Sequence, residues 1–208
     1  MLNEKIKIAV LCSGGGTNFQ AIVSAQEAGL IPHGEVTLLL CDNADAYVLT
    51  RAARYGIESV IVDKKRFPNR QDREKEMLRV LKEKGVEFIV FAGFMTILGE
   101  AFVRSYEKRI INVHPSLIPS FCGEGYYGLR VHEAALKSGV KVTGATVHYV
   151  NEVCDGGEII EQKAVEVKEG DTLETLQKRV MREAEWVILP SAVEKVCKRL
   201  SEEKEACR

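Results

Sequence analysis

The sequence predicts an α/β fold in which helices cover both faces of a mostly parallel sheet. Short apolar runs alternate with segments of helical spacing through the first half of the chain, and interior runs such as 89–92 are continuously apolar. Strands buried on both faces have this continuous character, whereas strands with one solvated face alternate. We therefore expect a single-domain, Rossmann-like architecture.

The individual elements follow from hydrophobic periodicity and from glycine at helix ends. Apolar runs predict strands at 6–12, 35–41, 57–62, 88–92, 109–113, 141–150 and 158–167. Helical spacing predicts helices at 18–28, 44–55, 70–84, 129–137 and 172–199. A loop rich in proline and glycine separates the two halves at 115–128, and the second half is expected to extend the same sheet.

Composition narrows the class of protein. The chain has 208 residues, 46% of them hydrophobic and 28% charged, which is typical of one folded domain spanning 1–208. Its net charge is −1 and no long block of like charge occurs, which argues against nucleic acid as a partner. The sequence contains neither a signal-type segment nor a long apolar stretch, so we expect no membrane partner and a cytoplasmic location.

The six cysteines form no CxxC pair, so zinc or dithiol redox chemistry is not indicated. We expect reduced thiols that mostly serve packing. A single nucleophilic cysteine stays a minor alternative, because no cysteine lies in a motif that would lower its pKa. We expect no metal site.

A glycine-rich turn follows the first predicted strand and leads into a helix. Closely spaced glycines let the backbone approach a ligand, and the free N–H groups of a helix start attract a phosphate. The string does not fit GxGxxG, because Phe19 occupies the third glycine position, so a monophosphate is favoured over a dinucleotide. A simple tight turn, with Thr17 or Asn18 as the helix cap, stays open. The candidate phosphate-binding residues are Gly15, Gly16, Thr17 and Asn18.

Two polar residues stand at the end of the fifth predicted strand. Asn112 and His114 are two positions apart, so their side chains share one face, roughly 7 Å apart along the chain. Taken alone, such a pair is more often a hydrogen-bonded core Asn and a capping His than a catalytic pair. Ligands in open α/β sheets bind beyond the carboxyl ends of the strands. Asp155 lies in a predicted turn with two glycines, and taken alone an Asp in such a position is most often only part of the turn. Together the three suit acyl transfer to an amine, with Asn as oxyanion donor, His as charge stabiliser or proton carrier, and Asp orienting His.

Five strings resemble the glycinamide ribonucleotide formyltransferase family, in order and at suitable spacing: CSGGGTN at 12–18, NADA at 43–46, AGFMTIL at 92–98, NVHPSLIP at 112–119 and DGG at 155–157. The string at 112–119 is shared with the wider formyltransferase group. The glycine turn narrows the resemblance to this family.

The resemblance implies direct attack of the glycinamide ribonucleotide amine on the formyl group of the co-substrate 10-formyltetrahydrofolate, in de novo purine biosynthesis. It implies catalytic roles for Asn112, His114 and Asp155, phosphate contacts in the glycine turn, and contact of Glu185 with the glycinamide end. The implied folate-binding residues are Arg70, Met95, Thr96, Ile97, Leu98, Asn151 and Asp155. The phosphate-binding half would span about 1–108, and the catalytic and folate half about 109–200.

Three departures from the family pattern concern folate contact and substrate closure. The loop at 122–128 is longer than the usual turn, Thr96 replaces an arginine found in some members, and Trp186 stands where a histidine often follows the helix glutamate. Whether the protein acts as a monomer or a homodimer is left open.

Other functions compete with this interpretation. A formyltetrahydrofolate deformylase would use the same Asn, His and Asp with water as acceptor, but its relatives carry an additional N-terminal domain, and it has no use for a phosphate-binding turn. Formylation of an initiator tRNA needs a basic surface that the net charge does not supply. A non-enzymatic nucleotide-binding module explains the glycines but gives no role to Asn112, His114 and Asp155.

Overall fold

The structure, a computed structural model, describes residues 4–207; residues 1–3 and 208 of the domain predicted over 1–208 lie outside the described residues. Its strands are β1 (Ile6–Cys12), β2 (Gly34–Cys41), β3 (Glu58–Ile61), β4 (Phe88–Phe91), β5 (Ile110–His114), β6 (Val142–Tyr149) and β7 (Ile159–Glu166). They form one sheet in the order β3-β2-β1-β4-β5-β6-β7. The first five strands are parallel, and β6 and β7 are added antiparallel. The predicted α/β fold with a mostly parallel sheet is confirmed.

The helices are α1 (Thr17–Glu27), α2 (Val48–Arg54), α3 (Arg70–Glu83), α4 (Glu100–Ser105), α5 (Leu129–Lys137), α6 (Leu173–Val180) and α7 (Trp186–Ala206). A π-helical turn, Met181–Glu185, joins α6 to α7 without a break in the chain direction. One sheet face packs against α1, α6 and α7, and the other packs against α3 and α4. Neighbouring residues of β1 alternate between these two cores, as expected of a strand buried on both sides.

Two helical predictions need correction, and one helix was not predicted. The helix predicted from 44 begins at Val48, because the Asn43 side chain accepts a hydrogen bond from Asp45 N–H (3.0 Å) and holds the preceding residues in a turn. The sequence reading missed α4, whose six residues are too few to display a helical period. The last helical segment continues to Ala206 instead of ending at 199.

Strand β6 lies unusually close to its neighbours at Gly144. A Cβ atom there would stand 2.1 Å from the Lys163 carbonyl oxygen and 2.9 Å from Leu117 Cδ2, so only glycine fits. Two positions further along, Thr146 Oγ1 donates to the Ser116 carbonyl (2.7 Å) and accepts from Ile118 N–H (3.1 Å). Strand β6 therefore fixes the course of the chain immediately after β5.

Helix α5 buries His132 together with Val131 and Ala135. Burial, and to a smaller extent the charge of nearby His114, lower the pKa of this imidazole to about 4. In the described residues the Nδ1 atom of His132 is buried without a hydrogen-bond partner. The folded protein therefore holds His132 in its neutral form.

This burial predicts an acid-dependent loss of stability. Between pH 6.5 and pH 4 the unfolded chain protonates His132 while the folded protein does not, so the free energy of unfolding falls as the pH falls. The full effect is about 3 kcal/mol. Replacing His132 by Gln should flatten the curve of unfolding free energy against pH by this amount, measured by urea denaturation. Parallel curves for parent and variant would contradict the prediction.

Candidate active site

Strands β5 and β6 bring four polar side chains to one face of the sheet. Their antiparallel register places Asn112 opposite His148 and His114 opposite Thr146. Directly opposed residues of antiparallel strands point to the same face at close range. The predicted pair Asn112 and His114 therefore gains two neighbours from the next strand.

The carboxylate of Asp155 lies between two imidazoles. Its Oδ2 atom is 3.5 Å from His114 Nδ1, and its Oδ1 atom is 3.5 Å from His148 Nε2. The Gly123 N–H donates to Oδ2 at 2.9 Å. All three side chains are nearly buried. The structure thus brings Asp155 together with the predicted pair on β5.

The turn between β6 and β7 holds Asp155 in the left-handed region, with φ of 54°. Asn151 frames this turn, because its Oδ1 accepts from Val153 N–H (2.9 Å) and its Nδ2 donates to the Gly156 carbonyl (3.3 Å). A Cβ atom at Gly157 would stand 1.7 Å from the Tyr149 carbonyl oxygen. Gly157 is therefore glycine because the turn presses against the end of β6, whereas a Cβ atom at Gly156 would stand 2.6 Å from Val153 Cγ1 within the turn itself.

Burial alone would raise the pKa of Asp155, but hydrogen bonds from His148 and Gly123 N–H, with the charge of His114, lower it overall. The group consequently remains a carboxylate at neutral pH. His114 Nε2 lies 2.9 Å from the Phe121 carbonyl oxygen, to which only a protonated nitrogen can donate. The imidazolium form would donate to both this carbonyl and the Asp155 carboxylate.

The sequence reading missed His148. Its Nδ1 donates to the Tyr149 carbonyl at 2.8 Å, which leaves Nε2 facing both Asp155 and Asn112 Nδ2 (3.4 Å). The two-residue alternation of Thr146 and His148 in a long predicted strand was the available signal. It becomes informative only when the antiparallel register of β6 against β5 is known.

The glycine turn lies at the same sheet edge, at the end of β1. Gly16 occupies the N-cap position of α1 with φ of 74° and makes no side-chain cap, so neither Thr17 nor Asn18 caps the helix. A Cβ atom at Gly16 would stand 2.4 Å from Val48 Cγ2, whereas Gly14 and Gly15 have open space around theirs. Gly16 is therefore required by α2 and by its own backbone angle, while Gly15 is free to face a ligand.

Asn18 and Glu185 join the glycine turn to the last helical segment. Asn18 Nδ2 donates to Glu185 Oε2 at 2.7 Å, and the Oδ1 atom of Asn18 has no partner within residues 4–207. Burial raises the pKa of Glu185, and the Asn18 amide partly opposes the shift. The π-helical turn, a feature frequent at functional sites, carries Glu185. One N–H of the Asn18 amide is donated to Glu185, and its unpartnered Oδ1 is an available acceptor in this arrangement.

The segment predicted to line the folate follows β4. It lies between two clusters, one formed by the glycine turn with Asn18 and Glu185 and the other by Asp155 with its histidine neighbours. Met95 and Ile97 are exposed by 56% and 71%. Met95 N–H donates to Ser13 Oγ (2.8 Å), and Thr96 Oγ1 donates to Asp42 Oδ2 (2.6 Å). Leu98 packs partly against the core. The segment is thus anchored to the residues that directly follow β1 and β2, while two of its apolar side chains face outward.

Arg70 begins α3 beside the same segment. Its Nε donates to Glu74 Oε1 (2.7 Å), and the same oxygen accepts from Gly99 N–H (2.9 Å). The guanidinium is therefore coupled through Glu74 to the residue after Leu98. Half of the Arg70 side chain remains exposed.

The longer loop at 122–128 is attached to the site at its start through the bond from Gly123 to Asp155. Phe121 contacts Tyr126 with ring centroids 6.4 Å apart, and the Arg130 guanidinium lies 4.8 Å from the Tyr127 ring centroid. The insertion thus adds aromatic surface beside Asp155. Trp186, the third departure, has a buried indole N–H without a partner among the described residues.

Within residues 4–207, no group of three or more His, Cys, Asp or Glu side chains is arranged to hold a metal ion. No helix in this range has the length and apolar character needed to cross a membrane.

Comparison with known proteins agrees with the resemblance seen in the sequence. A family model described as formyl transferase matches residues 6–193. The chain is 43% identical over 193 residues to the trifunctional purine biosynthetic protein adenosine-3 of Gallus gallus, covering 93% of this chain and 18% of that protein. It is 40% identical over 178 residues to the chloroplastic phosphoribosylglycinamide formyltransferase of Arabidopsis thaliana, covering 85% and 61%. The chain thus spans less than two thirds of the length of both curated relatives.

A solved structure gives a similar result. The glycinamide ribonucleotide transformylase 1 of Symbiobacterium toebii superposes with a TM-score of 0.87 at 40% identity, covering 93% of this chain and 88% of that one. Sequence family, curated relatives and architecture agree. The chain belongs to the formyl transferase family.

Proposed function

We propose that this protein transfers the formyl group of 10-formyltetrahydrofolate to the amine of glycinamide ribonucleotide, in de novo purine biosynthesis. The observation that carries the proposal is the Asp155 carboxylate held 3.5 Å from both His114 and His148, beside Asn112. Relatives named for this activity support it at 40% identity. The substrate amine is itself the nucleophile, so the site requires no serine or cysteine.

The cluster has the groups that formyl transfer needs. Transfer between two nitrogens develops negative charge on the formyl oxygen and requires a proton to reach the departing nitrogen. Asn112 Nδ2 would donate to that oxygen, and a protonated His114 would stabilise it through its positive charge, or through its Nε2–H once this turns away from the Phe121 carbonyl. Preorganised groups of this kind commonly supply the largest share of catalysis. Asp155 orients His114 and stabilises its positive charge, and a water beside the carboxylate would relay the proton.

The ribonucleotide would occupy the other cluster. Its phosphate would accept from the backbone N–H groups of Gly15, Thr17 and Asn18, since the first turn of a helix leaves such donors unpaired. The contact predicted for Gly16 would be made by its peptide N–H. Glu185 would face the glycinamide end, and the unpartnered Oδ1 of Asn18 would accept from an N–H or O–H of the same substrate.

The folate would lie between the two clusters. Outward-facing Met95 and Ile97 fit an apolar ring system, and ligand pockets are mostly lined by such side chains. Thr96 would contribute backbone contacts, because Asp42 holds its hydroxyl. Leu98, Arg70 and the Asn151-framed turn would complete the wall. The family uses a formylated folate as co-substrate, which supports this arrangement.

The decisive test is consumption of 10-formyltetrahydrofolate by the purified protein with and without glycinamide ribonucleotide. Consumption only in the presence of the ribonucleotide supports transfer. Consumption in its absence, with release of formate, would identify a deformylase. Binding without turnover of either compound would identify a binding module.

Replacing Asp155 by Asn should lower kcat about 10³-fold, because general acid–base and charge effects at one group commonly contribute this much. Asn tolerates the left-handed backbone angle of this position, so the turn should persist. KM for both substrates should change little, as for an interaction made in the transition state. The exposed carboxylate of Asp45 gives the control Asp45→Asn, which should keep full activity. Steady-state kinetics decide the matter, and near-normal turnover of Asp155→Asn would refute the role.

Replacing Gly15 by Ala should raise KM for glycinamide ribonucleotide about tenfold while KM for folate and the melting temperature stay close to the parent values. A Cβ at Gly15 meets no atom within 4 Å in the free protein, so the effect can arise only from the approach of a ligand. Gly14→Ala, with equal space, is the matched control. Equal effects on the two KM values would count against a phosphate site here.

Replacing Met95 by Glu should weaken folate binding by about tenfold or more, because a carboxylate would have to be desolvated against the apolar ring. Ribonucleotide binding should stay near the parent value. Met95 is 56% exposed, so the change should leave folding intact. Calorimetric titration with each ligand separately provides the measurement, and loss of both affinities in a folded variant would show that the folate lies elsewhere.

A further inference from the structure

Helix α2 binds the carbonyl groups of the glycine turn through hydrogen bonds that the helix donates. Val48 N–H donates to the Gly14 carbonyl at 3.1 Å, and Arg51 Nε donates to the Gly15 carbonyl at 2.8 Å. Val48 also packs against the Cα of Gly16 so closely that no side chain fits there. Two consecutive carbonyls of the turn therefore point toward α2.

These two hydrogen bonds determine on which side of the turn the backbone N–H groups, with their partial positive charge, are exposed. In a planar trans peptide the N–H points opposite to the C=O, so Gly15 N–H must face away from α2 when the Gly14 carbonyl faces it. A carbonyl oxygen repels an anion, whereas an N–H attracts it. Contacts from α2 therefore keep the negative ends of these peptides away from the side on which an anion would bind.

Arg51 has neutral partners throughout. Besides the Gly15 carbonyl, its guanidinium donates to Gln20 Oε1 at 3.1 Å and lies 5.2 Å from the Tyr47 ring centroid. Among the described residues no carboxylate lies within ion-pair distance of it. Several other arginines of this chain differ in this respect, since acidic side chains pair with Arg70, Arg79, Arg104 and Arg179. The charge of Arg51 beside the turn is consequently not neutralised.

We propose that Arg51 is a positioning residue for the substrate phosphate: it fixes the Gly15 carbonyl away from the anion and adds an unpaired positive charge behind the turn. The inference rests on the proposed function, in that it takes the glycine turn as the phosphate site. The sequence reading gave Arg51 no role.

The experiment replaces Arg51 by Met in the 208-residue chain and measures steady-state kinetics with inorganic phosphate as competitive inhibitor. KM for glycinamide ribonucleotide and Ki for phosphate should both rise at least about tenfold, the usual size of a charge-assisted contact. The values of kcat and of KM for folate should stay within about twofold of the parent. Arg54→Met, the same charge change one turn along α2 at an exposed position, should alter none of these constants.

If Arg51 had a purely structural role, Arg51→Met would have a lower melting temperature, and its KM values for both substrates would rise together. That result would overturn the proposal. An unchanged Ki for phosphate in Arg51→Met would overturn it as well. Arg51→Lys keeps the charge but lacks the fork that reaches both Gly15 and Gln20, so its Ki should rise about threefold. If Arg51→Met does not fold, Arg51→Lys alone decides, and a parent-like Ki for phosphate in that variant would refute the proposal.

The outcomes separate this inference from the proposed function. A parent protein that does not formylate glycinamide ribonucleotide refutes the function, whatever Arg51 does. A parent that formylates it, with an Arg51→Met variant of unchanged kinetics, refutes only the role of Arg51.

Discussion

Burying a carboxylate costs free energy unless its charge is paired and its oxygens accept hydrogen bonds. The geometry of the candidate site depends on how this requirement is met at Asp155. Two imidazoles and one backbone N–H surround it, and they come from β5, from β6 and from the loop after β5. Each partner fixes one segment relative to the others. The antiparallel addition of β6 to an otherwise parallel sheet is what makes this arrangement possible.

Much of the fold was predictable because buried parallel strands are continuously apolar, and β1 and β4 needed no tertiary information. Elements whose limits depend on side-chain competition were not predictable in detail. The Asn43 side chain delays α2, and α4 is shorter than two helical turns. The π-helical turn at Met181–Glu185 has the composition of an ordinary helix, so the sequence gives no signal for the additional residue per turn.

The residues of the candidate site also fall into those that the sequence could predict and those that it could not. Asn112 and His114 could be paired from strand periodicity alone, because both lie on one strand. Asp155 and His148 lie near this pair because of the register between β5 and β6, and the sequence pattern of neither strand specifies that register. The glycine turn was recognised, but the reason for Gly16 lies in Val48 of a different helix. Resemblance supplied Glu185, whereas its bond to Asn18 required the structure.

The hydrogen bond between Asn18 and Glu185 connects residues 167 positions apart. Closing a loop of that length has an entropic cost that only the complete packing of α7 against α1 can offset. A folding intermediate that contains the finished parallel half would therefore have the glycine turn but lack the opposite wall of the proposed ribonucleotide pocket. If the proposed substrate binds there, its affinity would report on completion of folding, and the bound ribonucleotide would connect the two ends of the chain and slow global unfolding more than local opening of the loop at 122–128.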